Sequence, residues 1–145
     1  MSTDMKQDNI MNVDTVALDD ARGALVIIDQ TRLPGEVHIL SLTDQKDIWE
    51  AIYLLKVRGA PAIGVAAAIG IYLAAKGIHA EDYDAFYEQF KQAKDYLASS
   101  RPTAVNLFWA LDRMERVAAN NRLLPVSDIK RLLHDEAVAI REEDI

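Results

Sequence analysis

Lys56-Val57-Arg58-Gly59-Ala60-Pro61-Ala62-Ile63-Gly64-Val65-Ala66-Ala67-Ala68-Ile69-Gly70-Ile71-Tyr72-Leu73-Ala74-Ala75-Lys76 is the stretch on which the fold turns. From Pro61 to Ala75 it runs fifteen residues without a charge. That is short of the roughly 18–20 apolar residues needed to cross a bilayer. It is apolar on nearly every side, which predicts a buried helix surrounded by other elements. Pro61 suits a first helical turn, where its missing N–H has no use. Gly64, Ala68 and Gly70 leave room for neighbouring backbones, and Gly77 is a natural C-cap.

Upstream of this helix the pattern is that of strands. Val13–Leu18, Ala24–Asp29 and Val37–Leu42 read as three short strands, with turns at Asp19-Asp20-Ala21-Arg22-Gly23 and Leu33-Pro34-Gly35-Glu36. After Leu42 the period lengthens. Thr43 is read as the N-cap of a helix to about Lys56, with Ile48, Trp49, Ile52, Tyr53 and Leu55 on its apolar face. Downstream, Glu81–Ala98 is amphipathic, with Tyr83, Phe86, Phe90, Ala93 and Leu97 on one side. Thr103–Ala119 is a further helix, with Val105, Phe108, Trp109, Leu111 and Met114 placed inward. Asn120-Asn121-Arg122 breaks it, and Ser127 caps a last helix to the end of the chain. The expected fold class is α+β. A β-meander over residues 13–42 precedes a bundle of about five helices over residues 43–145, and together they form one domain.

Composition narrows the functions. A chain of 145 residues, half of them apolar, fits one domain with a proper core. A net charge of −7 argues against a nucleic-acid or anionic-membrane surface, but leaves open a local anion site made by a few placed groups. The chain has no cysteine, hence no disulfide and no thiolate metal site, which fits a cytoplasmic protein. Residues 1–12 are polar, lack the apolar core of a signal peptide and are read as a frayed tail.

Two arginines stand at the mouths of two expected helices. One lies in Arg58-Gly59-Ala60-Pro61, the other in Arg101-Pro102-Thr103. A helix N-terminus offers unpaired N–H groups and the positive end of a dipole, and a guanidinium adds a permanently charged fork. Two such mouths brought together would hold a phosphate. Asn106 lies one turn into the second helix, on the face that would look at a ligand. A plainer reading stands beside this one: a surface Arg in each connection, and Thr103 simply capping its helix. Asp29 and Gln30, at the end of the second strand, either line a cleft or make a turn. His38, His79 and His134 are far apart, show no metal-ligand spacing and read as surface residues. Asp112, Glu115, Asp135, Glu136, Glu142, Glu143 and Asp144 read as solvating charge on exposed helix faces. No Ser-His-Asp order, phosphate-binding Gly-rich loop or dinucleotide fingerprint is found.

Three stretches together resemble a known family. Val57-Arg58-Gly59-Ala60-Pro61-Ala62-Ile63-Gly64-Val65-Ala66-Ala67-Ala68 is similar to the signature of methylthioribose-1-phosphate isomerases. So are Ser100-Arg101-Pro102-Thr103-Ala104-Val105-Asn106-Leu107-Phe108-Trp109-Ala110 and Asp29-Gln30-Thr31-Arg32-Leu33-Pro34, in the same order and spacing. The wider superfamily includes ribose-1,5-bisphosphate isomerases and the regulatory subunits of the eukaryotic initiation factor 2B nucleotide exchanger. Gln30-Thr31 and Phe108-Trp109 favour the methylthioribose branch. The resemblance implies an aldose–ketose isomerase of methionine salvage, which converts 5-methylthioribose 1-phosphate to 5-methylthioribulose 1-phosphate with no cofactor and no metal. It implies substrate binding by Arg58, Gly59, Ala60 and Arg101, with Asp29, Gln30, Pro61, Thr103 and Asn106 as possible supports. It also implies a Rossmann-like C-terminal domain that faces this one across the active site, and a homodimer. The family's catalytic Cys and Asp fall beyond Ile145, so no catalytic residue is assigned within this chain, and the chain alone is expected to be inactive. The alternative is a phosphosugar- or nucleotide-sensing regulatory module of the same superfamily, or a ribose-1,5-bisphosphate isomerase.

Overall fold

The computed structural model describes residues 16–28, 39–54 and 60–143. It is α+β, as expected: a three-stranded antiparallel sheet followed, among the described residues, by five helices. Strands β1 (Val16–Asp19), β2 (Ala24–Ile28) and β3 (Ile39–Leu42) lie in chain order with β2 in the middle. Val16 pairs with Ile27 and Asp19 with Ala24; Leu25 pairs with Leu42 and Ile28 with Ile39. The β1–β2 turn closes through Gly23, whose φ of 65° suits a residue without Cβ. The Gly23 N–H donates to Asp20 O at 3.1 Å, and Arg22 N–H to the Asp19 carboxylate at 3.2 Å. Alternation puts Val16, Leu25 and Ile27 on the bundle face, all essentially buried.

Helix α1 spans Gln45–Tyr53, α2 Ala60–Lys76, α3 Tyr83–Ala98, α4 Val105–Asn120 and α5 Val126–Glu143. The uncharged helix is central, as its composition requires. α2 packs against α1, α3, α4, α5, β1 and β2. Residues 62–73 are buried without a break. Such crowding needs small side chains. A Cβ on Gly70 would lie 3.1 Å from Ile48 Cγ2 and 3.3 Å from Leu97 Cδ1. Phe86 and Phe90 of α3 add two fully buried rings with centroids 5.9 Å apart. Full burial of a ring of this kind is worth about 1.5–3 kcal/mol. Polar contacts tie the layers together. The Tyr72 hydroxyl donates to Asp20 at 2.6 Å, and Lys76 Nζ meets the same carboxylate at 3.0 Å, so the β1–β2 turn is fastened to α2. Burial alone would raise the Asp20 pKa, but these two donors hold it below its ordinary value.

Several local expectations are corrected. Asp44, not Thr43, caps α1 by accepting from Lys46 N–H at 3.1 Å. Asp82 caps α3, accepting from Ala85 N–H at 2.9 Å, so that helix starts after Glu81. Ser127 does not cap α5: the helix begins at Val126, and Pro125 O accepts from Asp128 and Ile129 N–H. Gly77 does take the C-cap position expected of it, its N–H donating to Leu73 O and Ala74 O at 3.3 and 3.2 Å, though without a left-handed φ; among the described glycines only Gly23 has one. In α1, Ile48 and Ile52 are buried as expected, but so is Ala51, while Tyr53 is 56% exposed. In α4 the inward stripe is Leu107, Ala110, Leu111, Met114 and Ala118. Val105 and Trp109, placed inward from the sequence, are 78% and 47% exposed. His79 is exposed, whereas the half-buried His134 packs its ring edge against Tyr72 at 5.4 Å. Leu55, His38, the second turn and the polar N-terminus lie outside the described residues.

Candidate functional site

The two helix mouths converge. α2 opens with Ala60 and Pro61, and α4 opens with Val105 and Asn106. Gly64 is what lets them meet: a Cβ there would lie 3.1 Å from Asn106 O and 3.7 Å from Ala110 Cβ. Beside this crossing lies a cleft of about 340 Å³. α2 supplies Pro61, Gly64 and Val65; α4 supplies Val105, Asn106 and Trp109; the last turns of α5 supply Ile140 and Glu143. Ligand clefts for small molecules begin at about 300 Å³.

The α4 mouth differs from the one expected. Pro102 does not open the helix. Arg101, Pro102 and Thr103 form a turn closed by Ala104 N–H donating to Arg101 O at 3.0 Å. Ala104 is the N-cap and has no side-chain oxygen, so no side chain caps α4 and Thr103 does not perform that role. The first-turn N–H groups of α4 are therefore left for water or a ligand. A helix end of this kind, with its dipole, receives an anion.

Of the residues singled out from the sequence, Pro61 and Asn106 are brought together on the cleft. Ala60 is the first residue of α2. Arg101 is half-buried in the turn before α4 and Thr103 is exposed; neither is among the described lining residues. Asp29, Gln30, Arg58 and Gly59 lie outside the described residues.

Sequence reasoning missed one cluster. Glu143, at the cleft edge, accepts two hydrogen bonds from Arg113, at 2.8 and 2.6 Å. Arg113 Nε donates to Glu136, and the guanidinium carbon sits 5.3 Å from the Trp109 ring centroid. The Arg113 hydrogen bonds hold the Glu143 pKa below the usual carboxylate value, and they keep Arg113 charged. Glu143 is thus a poor proton acceptor, with its charge matched by a cation. The signal was present in part: Trp109 and Arg113 are four residues apart, and Glu136 and Glu143 are two turns apart, so each pair shares a helix face. Asp112 and Glu115 likewise prove to be paired, both with Lys94, at 2.8 and 2.6 Å. Among the described residues no group of three His, Cys, Asp or Glu side chains is placed to hold a metal ion. No helix among them is long and apolar enough to cross a membrane.

Residues 56–145 match the Initiation factor 2 subunit family. The chain belongs to this family. Its relatives are much longer. The methylthioribose-1-phosphate isomerase of Symbiobacterium thermophilum is 59% identical over 132 residues, which cover 91% of this chain and 37% of that protein. The 5-deoxyribose 1-phosphate isomerase of Bacillus cereus is 50% identical over 121 residues, covering 83% of this chain and 35% of that protein. Among solved structures, the 5-methylthioribose 1-phosphate isomerase from Pyrococcus horikoshii superposes with a TM-score of 0.84 at 38% identity, over 89% of this chain and 36% of that one. The Initiation factor 2 subunit family member described above thus spans about a third of the length of these relatives.

Proposed function

We propose that this chain is the substrate-binding N-terminal part of an aldose–ketose isomerase that converts 5-methylthioribose 1-phosphate to 5-methylthioribulose 1-phosphate in methionine salvage. The observation that carries the reading is the meeting of two helix mouths at one cleft. Each mouth follows an arginine, and the mouth of α4 has no side-chain cap. The substrate phosphate sits at that end, held by Arg58 and Gly59 before α2, by Ala60 at its start and by Arg101 before α4, with Pro61 and Asn106 beside it. Asp29, Gln30 and Thr103 support this grip.

The proton shift between C1 and C2 needs a positioned acid and base. The one ionisable side chain among the described lining residues is Glu143, and Arg113 holds it ionised and engaged. The chain's part in the reaction is therefore grip and orientation. The acid–base pair belongs to the portion of the relatives that this chain does not span, the C-terminal domain across the active site. The whole enzyme is a cytoplasmic homodimer working without metal or cofactor. A second reading, a phosphosugar- or nucleotide-sensing regulatory module, draws on the family itself, which is named for an initiation factor. Turnover separates the two.

The test uses a protein of the relatives' full length carrying this segment. Arg58→Ala and Arg101→Ala should each weaken substrate binding by about 1.5–3 kcal/mol, the worth of a hydrogen bond to a charged group, or one to two decades in affinity. Stability should move by only about 0.5 kcal/mol. Arg58→Lys keeps the charge, loses the fork and should still bind less tightly. A lowered melting temperature with unchanged affinity would make the arginine structural and defeat the reading.

A further inference from the structure

α5 is the last described element, and its final turns give the cleft a wall through Ile140 and Glu143. α5 packs on α4, and one side chain of α4 grips its end. Arg113 donates from Nε to Glu136 and from its two terminal nitrogens to Glu143, at 2.8 and 2.6 Å. Its guanidinium carbon lies 5.3 Å from the Trp109 ring centroid, and its side chain is only 20% exposed. Glu136 and Glu143 are seven residues apart, two turns along one face of α5. A rigid, planar fork that reaches both sets the roll of α5 about its axis as well as its distance from α4. Arg113 is not a described lining residue of the cleft, whereas Glu143 is, so Arg113 acts on the cleft through the end of α5.

On the isomerase reading above, on which this inference rests, the phosphate grip lies at the mouths of α2 and α4, and the acid–base groups lie in the length that follows α5. We propose that Arg113 is a positioning residue: by clamping Glu136 and Glu143 it fixes the end of α5 against α4, and so sets where the acid–base groups that follow stand relative to the gripped phosphate. This role is separable from folding. An ion pair with a partner as exposed as Glu143 adds little to stability. A displacement of about 1 Å at reacting groups costs about a hundredfold in rate.

The experiment uses a protein of the relatives' full length carrying this segment, with 5-methylthioribose 1-phosphate as substrate. Arg113→Gln should lower kcat by about 10- to 100-fold. KM should stay within about twofold, because the grip at the helix mouths is untouched. Arg113→Lys keeps the charge without the fork and should recover only part of kcat. Glu143→Gln, at a side chain 55% exposed, leaves folding intact and should lower kcat in the same direction. The double variant Arg113→Gln, Glu143→Gln should be no slower than Arg113→Gln, since both changes break one contact. Lys94→Gln is the control. It breaks the bridge from α3 to Asp112 and Glu115 of α4, away from the described cleft lining, and should leave kcat unchanged whatever it does to the melting temperature. A raised KM with kcat held would make Arg113 a substrate ligand and overturn the proposal. So would additive losses in the double variant, or a loss in Lys94→Gln as large as that in Arg113→Gln. An unsubstituted protein without turnover defeats the isomerase reading and this inference together. Normal turnover in both Arg113→Gln and Glu143→Gln defeats this inference alone.

Discussion

Gly64→Ala tests the crossing on which the site depends. A Cβ at Gly64 would lie 3.1 Å from Asn106 O, 3.6 Å from Asn106 Cβ and 3.7 Å from Ala110 Cβ. The nearest atom is backbone, in the first turn of α4, so it cannot rotate away as a side-chain end would. α2 and α4 must separate by a few tenths of an ångström. Overpacking of this kind costs about 1–3 kcal/mol. Against it, replacing Gly by Ala within a helix gains about 1 kcal/mol. The net expectation is a loss of about 1 kcal/mol, or about 2–4 °C in melting temperature for a chain of this size. Gly77→Ala is the internal control. Its Cβ would meet nothing closer than 3.7 Å, and its φ is not left-handed, so only the gain remains, about 0.4–1 kcal/mol. The assay is thermal unfolding of both variants followed by circular dichroism. If Gly64→Ala melts as high as Gly77→Ala, then α4 is not held against α2 at this distance, and the shared helix-mouth cleft loses its basis.

Four further outcomes are expected. Phe90→Ala, at a fully buried ring, should cost about 3–5 kcal/mol in urea unfolding, whereas Leu123→Ser, at a position 92% exposed, should stay within about 0.5 kcal/mol. The chain should unfold in one cooperative transition, since sheet and helices share a single core around α2; separate transitions for the two layers would contradict that. Burial of Glu115 opposes ionisation, but Lys94 and the Tyr87 hydroxyl hold its pKa below 4.5. The unfolded chain then binds the proton more readily, so this stabilisation is present above the ordinary glutamate pKa and is lost as pH falls through the folded value. Glu115→Gln should flatten the fall of melting temperature in acid; a variant that melts with an unchanged acid slope would count against the Lys94 contact. Finally, the purified 145-residue chain should not isomerise 5-methylthioribose 1-phosphate above background, and clear turnover would place the acid–base groups within it.

The architecture was readable because its central element is so plain. The uncharged run ending at Ala75 suits an enclosed helix, and the short apolar run over residues 24–28, bounded by a turn at Gly23, suits a buried strand. The errors cluster where function and local chemistry depart from pattern. In α4 the regular stripe is Leu107, Ala110, Leu111, Met114 and Ala118, which is legible at helical spacing. Val105 and Trp109 drew the eye inward because they are large and apolar, yet they face the cleft. Consistency between pattern and burial fails first at sites. The capping errors are of another kind: Thr43 and Asp44 are adjacent and both able to cap, and one-residue precision is beyond pattern. The ion pairs were invisible because partners such as Lys94 and Glu115 sit on different helices, 21 residues apart. Of the site, the two mouths were read from the Arg and Pro motifs, but the cleft they share follows from Gly64 and the path of α5, which no local pattern shows.

Arg141 donates from Nε to Val16 O at 2.8 Å, across a separation of 125 residues. The first described strand and the last helix are thus latched together, and α5 also packs on β1. During synthesis β1 leaves the ribosome first and then waits for α5. At about 5–20 residues per second, 125 residues take roughly 6–25 s. Until then α2 alone among the helices packs on β1 and β2, the part of β1 that α5 covers stays open, and the site lacks the wall that carries Ile140 and Glu143. A nascent chain stalled before α5 should therefore be a chaperone client, with its sheet open to cleavage by added protease. The same chain extended past α5 should become resistant in a single step.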